Sequence, residues 1–339
     1  MFKNKTVFIV GAGASAELDL PLGSALANGI SAKMDIRFER GVQSVGTGDL
    51  QLFHQITKTG QQYANEFQNA AWLIRDGILL SRSIDDFLDL HRNDPRIGLY
   101  GKAAIVQSIL EAERGSKLYF GRNSHSDKFS PAKFGDTWLV KFMQMLTPGI
   151  PREDVRQIFD NVSFIVFNYD RCIEFFLLHA LQTVYGIHEE EAQAALDDLE
   201  IIHPYGAIDA SVPFGATQAN WAKLAEGIKT YTEQIGAGDL TGRIAARILD
   251  ARHIVFLGFA YHEQNMLLLK PPKALSSKKL FGTAFGMSNS DVDLTSRQVD
   301  AWFEGYDARG FREQIIKIEN KLKSADLFDH YAKSLTGGD

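Results

Sequence analysis

A short strand that runs directly into a glycine turn is the feature that most constrains the fold of this chain. Residues 6–10 read TVFIV, which is rich in β-branched and aromatic side chains, and residues 11–16 read GAGASA. These residues fit the pattern G-x-G-x-x-G/A. In that pattern Gly11 would permit a tight turn, and Gly13 would let the backbone approach a pyrophosphate. The turn predicts nucleotide binding, with close packing as the alternative reason for the small residues.

The residues after the turn argue against a dehydrogenase. In that class a second strand follows the first helix and ends in an acidic residue about 20 residues after the glycines. Here Asp35 lies at the end of a helical pattern, with no apolar strand before it. The turn also continues through Pro21 and Gly23 before the helix begins. A different use of the nucleotide is therefore favoured.

Alternation of strand-like and helical patterns predicts the fold class. Apolar runs bounded by Gly, Asn, Pro or Ser lie at 6–10, 162–167, 199–203, 253–259 and 279–285. Helical patterns at 170–186 and 239–251 lie between the later runs. Strands that alternate with helices are typical of a parallel sheet, so we expect an α/β protein with a Rossmann-like parallel sheet.

The intervals outside the strands predict the domain organisation. Residues 36–159 contain several helical periods and are interpreted as a helical insertion between the first and second strands. Within them, residues 116–135 show no period and predict a loop near the site. Residues 291–339 are expected to be helical, with 312–335 forming an amphipathic helix that packs on the body or on another subunit. Residues 1–35 and 160–290 then form the nucleotide-binding core.

Composition limits the classes of partner and site. A net charge of −6 gives no basic surface for direct nucleic-acid binding, and the single cysteine among 339 residues cannot build a zinc site that needs several thiolates. The apolar run before the glycine turn is short and is not followed by a cleavage site, so we expect no signal peptide, and no apolar run approaches the roughly 20 residues that span a bilayer. We therefore expect a cytoplasmic protein without a bound metal and without membrane or direct nucleic-acid contacts.

Four stretches in order resemble the sirtuin-like NAD-consuming family, in its bacterial antiphage-defence branch. They are GAGAS at 11–15, FNYD at 167–170, HPYG at 203–206 and FLGFA at 256–260. In addition, GTAFGMS at 282–288 resembles the last strand beside the adenine in that branch. Any one of these motifs is weakly specific, whereas four in order at strand ends are specific.

The resemblance implies a site at the strand ends, with NAD consumed as the substrate. It implies that Asn168 faces the nicotinamide ribose and that His203 acts as the base. The implied NAD-binding residues lie at or just after the strand ends and are Gly11, Ala12, Gly13, Ser15, Asp170, Gly258, Phe259 and Thr283.

The chemistry of nicotinamide release suits these residue types. The leaving pyridinium is already cationic and departs neutral, so no pair of carboxylic acids is required. An oriented amide, a neutral imidazole and a nearby carboxylate are the useful groups, and Asn168, His203 and Asp170 supply them.

Each candidate residue also has a structural interpretation. Asn168 and Asp170 can cap the helix that begins near residue 170, and His203 can be a satisfied core histidine. Glu17, just beyond the glycines, is expected to be solvated rather than catalytic.

These interpretations of the sequence lead to three candidate functions. The first is an NAD+ hydrolase that releases nicotinamide and ADP-ribose, as a toxic effector of bacterial antiviral defence. The second is a non-catalytic module that binds NAD or ADP-ribose for assembly. The third, a protein deacylase, is disfavoured because one cysteine cannot form the four-cysteine zinc module of deacylating sirtuins. An NAD-depleting effector needs control, so we expect regulation by formation of a homo-oligomer or by a separate partner such as a HerA-type ring ATPase.

Overall fold

The computed structural model describes residues 1–38, 46, 48–58, 63–121, 128–235, 238–276, 278–303 and 315–337. Its strands are β1 Thr6–Val10, β2 Val162–Val166, β3 Glu200–Ile202, β4 His253–Leu257, β5 Lys279–Thr283 and β6 Ile315–Glu319. They form one parallel sheet in the order β3-β2-β1-β4-β5-β6. The predicted α/β class with a Rossmann-like parallel sheet is confirmed.

Central strands β1, β2 and β4 are buried along their whole length, as expected when helices cover both faces of a parallel sheet. Successive β1 side chains point to opposite faces. Ile9 belongs to the core on one face, and Phe8 belongs to the core on the other. On that second face the Phe8 ring packs 5.3 Å from the ring of Phe164 and 5.4 Å from that of Phe142.

Helices cover the two faces of the sheet. In chain order they are α1 Ala12–Ser15, α2 Gly23–Lys33, α3 Leu50–Thr57, α4 Ala64–Gly77, α5 Ile84–Leu90, α6 Pro95–Gly115, α7 Trp138–Leu146, α8 Cys172–Tyr185, α9 Glu189–Leu196, α10 Trp221–Leu224, α11 Tyr231–Ile235, α12 Gly238–Asp250, α13 Glu263–Leu269, α14 Asn289–Asp300 and α15 Ser324–Thr336. Helices α2–α6 and α10–α14 contribute to the core on the Ile9 face, whereas α7–α9 and α15 contribute to the core on the Phe8 face.

The segment between β1 and β2 is helical, but it divides between the faces. Its longest helix, α6, begins where the Asp94 side chain accepts a hydrogen bond from the N–H of Arg96 at 3.0 Å, with Pro95 in the first turn. Helices α3–α6 lie on the Ile9 face, whereas α7 packs against α15 and α8 on the other. The loop predicted at 116–135 includes residues 122–127, which lie outside the described residues.

The amphipathic helix predicted at 312–335 is wrong in its first part. Ile315–Glu319 form the edge strand β6, paired with β5, and the helix is confined to Ser324–Thr336. The strand sequence IIKIE carries three β-branched side chains, which favour extended backbone, and the run is too short to establish a helical period. Residues 312–314 lie outside the described residues.

Across the described ranges, no helix is both long enough and apolar enough to cross a bilayer.

Candidate functional site

The glycine turn packs directly against the end of β4. Gly11 donates its N–H to the carbonyl of Leu257, and Gly13 donates its N–H to the carbonyl of Gly258, both at 2.9 Å. A Cβ on Gly13 would lie 2.8 Å from the Cα of Gly258, so only glycine fits at this contact. Close packing is therefore one reason for these glycines. The N–H groups of Gly11 and Gly13 are engaged within the protein instead of facing a ligand.

A cavity of about 950 Å³ lies over this turn. It is lined by residues that follow β1, β2, β3, β4 and β5, which places it at the carboxyl ends of the strands. The strand order reverses between the neighbouring strands β1 and β4, and crevices in open parallel sheets form at such a switch point. Seven of the predicted site residues line the cavity: Gly11, Ala12, Gly13, Asn168, Gly258, Phe259 and Thr283.

The side chain of Asn168 is held at the cavity wall by a chain of hydrogen bonds through Ser15 to Asp170. Its side-chain Nδ2 donates to the hydroxyl of Ser15 at 2.9 Å, and that hydroxyl donates to Oδ2 of Asp170 at 2.9 Å. The other carboxylate oxygen of Asp170 accepts the N–H of Cys172, at the start of α8. Asp170 therefore has the capping role, and burial raises the pKa of its carboxyl group. Ser15 and Asp170 fix the plane of the Asn168 amide without lining the cavity.

His203 lies beside Asn168, but it is not among the cavity-lining residues of the described chain. Its Nε2 is 2.7 Å from a carboxylate oxygen of Glu174, and its Nδ1 is 3.2 Å from the backbone oxygen of Asn168. Carboxylate and carbonyl oxygens only accept hydrogen bonds, so both contacts are satisfied when both ring nitrogens carry protons. Burial lowers the pKa of His203, but the Glu174 carboxylate outweighs it and the net pKa lies above the ordinary value. The role of His203 as a base stays a prediction, and this geometry leaves its ring no lone pair for that role.

A second wall of the cavity comes from the helical insertion, which the sequence reasoning did not assign to the site. The hydroxyl of Ser83 accepts the N–H of Asp86 at 3.1 Å and starts α5, so Asp85 lies in its first turn. The hydroxyl of Tyr169 donates to Oδ1 of Asp85. Burial raises the pKa of Asp85 to about 6, with neighbouring carboxylates adding to the effect and the Tyr169 hydrogen bond opposing it. The sequence signal was the S-x-x-D pattern of a helix N-terminus at 83–86.

Thr283 and Phe285 shape the cavity on the β5 side. The hydroxyl of Thr283 accepts the N–H of Gly258 at 2.8 Å, so Thr283 positions the turn after β4. Phe285 lines the cavity and is 62% exposed, with the ammonium group of Lys323 5.3 Å from its ring centroid. An exposed aromatic face beside a cation suits a ligand that combines a flat ring with negative charge.

Glu17 has a structural role that differs from the predicted solvated one. Its two carboxylate oxygens accept the N–H groups of Trp138 and Ala325, each at 2.9 Å. Those residues lie in the first turns of α7 and α15, so Glu17 joins the N-termini of two helices and also lines the cavity wall. Burial raises the pKa of Glu17, whereas the backbone donors oppose that shift.

In the described parts of the chain, no group of three or more His, Cys, Asp or Glu side chains is arranged to hold a metal ion. No protein-family model matches the sequence, and no curated protein matches it significantly.

Proposed function

We propose that the protein is an NAD+ glycohydrolase that cleaves the bond between nicotinamide and ribose. The observation that carries the proposal is the amide of Asn168, fixed by Ser15 and Asp170 at the wall of a cavity over the switch point of the sheet. The cavity volume falls in the range of about 300–1,000 Å³ typical of sites for small molecules and cofactors. Its position at the carboxyl ends of the strands is where dinucleotides bind in this fold class.

The proposed chemistry places the amide where charge develops. As the nicotinamide leaves, positive charge spreads over the ribose carbon and its ring oxygen, and water attacks that carbon. A preorganised amide can hold a ribose hydroxyl or the water in the reactive geometry without reorganising during the reaction. The aromatic face of Phe285 and the charge of Lys323 are suited to the adenine and phosphate portions.

A second candidate is a module that binds NAD or ADP-ribose without cleaving it. The arrangement of His203 favours this candidate, because its two ring nitrogens face Asn168 and Glu174 and no lone pair is left for proton abstraction. Both candidates use the same cavity, so an experiment has to separate binding from cleavage.

The test is incubation of the purified protein with NAD+, with nicotinamide and ADP-ribose quantified by chromatography. We expect the two products in equal amounts, and their loss in Asn168→Ala. Asn220→Ala is the matched control, because Asn220 caps α10 by accepting the N–H of Lys223 and does not line the cavity. Binding of ADP-ribose by calorimetry without any release of nicotinamide would favour the second candidate, and absence of both binding and cleavage would overturn the nucleotide assignment.

The biological setting follows from the sequence resemblance and remains a proposal. We propose that NAD+ consumption serves antiviral defence in the cytoplasm, with activity controlled by self-association and by a HerA-type ring ATPase.

A further inference from the structure

Hydrolysis of NAD+ releases a proton that some group must accept. The electron pair of the C–N bond leaves with the nicotinamide nitrogen, and the water oxygen forms a new bond to the ribose carbon. The products are nicotinamide, ADP-ribose and one proton. Both ring nitrogens of His203 face hydrogen-bond acceptors, so in the arrangement described neither presents a lone pair to the cavity for that proton.

Asp85 has the position and the environment of a proton acceptor. It lines the cavity from the insertion side, on the first turn of α5, while Asn168 lines the same cavity from the end of β2. Tyr169, the neighbour of Asn168 in the chain, donates its hydroxyl to Oδ1 of Asp85 and so ties the two walls together. Oδ2 of Asp85 takes no part in this hydrogen bond with Tyr169.

The surroundings of Asp85 are acidic. Two further carboxylates, those of Asp86 and Asp89, lie on α5 with it, and the hydroxyls of Tyr169 after β2 and Tyr205 after β3 also face it. Glu233 on α11 faces the anchor Tyr169 and pairs with Lys102 of α6 at 2.7 Å. The guanidinium of Arg82 lines the same cavity. Burial and the like charges together bring the pKa of Asp85 to about 6, close to the optimum for a base that works near neutral pH.

We propose that the carboxylate of Asp85 accepts the proton of the attacking water, while Asn168 orients the reacting partners. The inference rests on the proposed hydrolysis of NAD+. The water gives its proton to Asp85 as its oxygen bonds to the ribose carbon, and Asp85 then returns the proton to solvent through the cavity mouth. No oxidant, reductant or further reactant is required.

The test is the pH dependence of kcat/KM for nicotinamide release in wild type and Asp85→Asn. Asparagine keeps the shape and the oxygen that accepts from Tyr169, so the cavity wall should be preserved. In wild type we expect kcat/KM to fall about tenfold per pH unit below about pH 6, as Asp85 becomes protonated. In Asp85→Asn we expect a rate lower by about 10²–10⁴-fold, with the acidic limb absent.

Two further variants separate proton transfer from a structural role. Tyr169→Phe removes a hydrogen bond that lowers the pKa of Asp85, so its acidic limb should move to higher pH. Asp86→Asn removes a neighbouring carboxylate of the same turn and should keep an acidic limb, moved to lower pH because a like charge is gone. A limb that stays in place in Tyr169→Phe would contradict the assignment of the limb to Asp85.

The outcomes also distinguish this inference from the proposed function. If wild type releases nicotinamide and Asp85→Asn keeps both its rate and its acidic limb, the role of Asp85 is overturned while the hydrolase proposal stands. If wild type binds ADP-ribose but releases no nicotinamide, the hydrolase proposal and the role of Asp85 fall together.

Discussion

Gly13 donates its backbone N–H to the carbonyl oxygen of Gly258 at 2.9 Å, which joins the turn after β1 to the turn after β4. Gly258 has a φ of +54°, in the left-handed region, and a Cβ there would lie 1.9 Å from the N atom of Ala14. The floor of the cavity is thus a direct contact between two backbone segments. Its shape depends on the absence of side chains at these positions.

Gly258→Ala should destabilise the protein and distort the cavity. The new methyl group collides with backbone that cannot move aside, and overpacking of this kind costs about 1–3 kcal/mol, to which the positive φ adds about 1–2 kcal/mol. Urea denaturation should show a lower free energy of unfolding. Gly29→Ala is the control, because a Cβ at this helical glycine meets nothing within 4 Å and should raise stability by up to about 1 kcal/mol. Equal midpoints for Gly258→Ala and wild type would contradict the packing argument.

Asn168→Ala should slow nicotinamide release by about 10²–10³-fold, or about 2.7–4 kcal/mol, as for loss of one preorganised polar contact. Thermal unfolding should change little, because Asp170 and not Asn168 receives the first N–H of α8. Steady-state kinetics with a melting curve measures both effects. An Asn168→Ala protein that melts at a lower temperature and still releases nicotinamide would show that Asn168 has a structural role and not a catalytic one.

Ser15→Ala should weaken catalysis through Asn168. The Ser15 hydroxyl accepts from Nδ2 of Asn168, so its loss frees the amide to rotate. We expect a fall of about 10- to 100-fold in kcat, the scale of a misplaced catalytic group. The double variant Ser15→Ala/Asn168→Ala should be no slower than Asn168→Ala, because the two residues act as a unit. Fully additive losses would instead indicate that Ser15 contacts the substrate independently.

Local sequence patterns predicted the strands β1–β5 to within about two residues at each end. Gly11, Asn168 and Gly258 each come directly after a buried apolar run, and parallel strands bring such positions to one edge. Asp85 was missed because it lies on an insertion, and helical periodicity predicts a helix without fixing which part of the sheet its first turn approaches.

The protonation of His203 could not be predicted either. The contact with Glu174 depends on where the first turn of α8 lies relative to the residues that follow β3, and that placement is set by tertiary structure and not by any local pattern. The edge strand β6 was misassigned for a related reason, since pairing with β5 decides its conformation.

The His203–Glu174 pair should make stability depend on pH. The pKa of His203 is raised in the folded state, so its contribution is complete below the unfolded pKa of about 6.5 and is lost as pH rises through the higher folded value. Glu174 has a lowered pKa, since His203 outweighs the effect of burial, and its contribution is lost as pH falls through that lower value. The stability advantage of wild type over His203→Gln should therefore shrink as the pH rises above the unfolded pKa of about 6.5, measured by thermal melting. An advantage independent of pH would contradict an ionised pair.

Arg171→Met should be among the most destabilising substitutions. Arg171 forms a two-pronged ion pair with the fully buried Glu113, with its Nη2 at 2.6 Å, and donates to the carbonyls of Asp209 and Val212 after β3. Removing the guanidinium leaves the Glu113 carboxylate buried without its cation, at a cost of about 3–5 kcal/mol in the free energy of unfolding. Urea denaturation measures the loss.

The loss in Arg171→Met should be larger at alkaline than at acidic pH. Burial already raises the pKa of Glu113, and without Arg171 it rises further, so the carboxyl group takes up a proton on folding. A folded pKa above the unfolded one gives stability that falls as pH rises, and the variant should therefore be least destabilised near the unfolded pKa of about 4.3.

Glu113→Gln/Arg171→Met keeps an acceptor for the N–H of Gly215 without a buried charge, and it should recover much of the lost stability. A single variant within about 1 kcal/mol of wild type, or a double variant no more stable than the single, would show that the buried charge is not what Arg171 compensates.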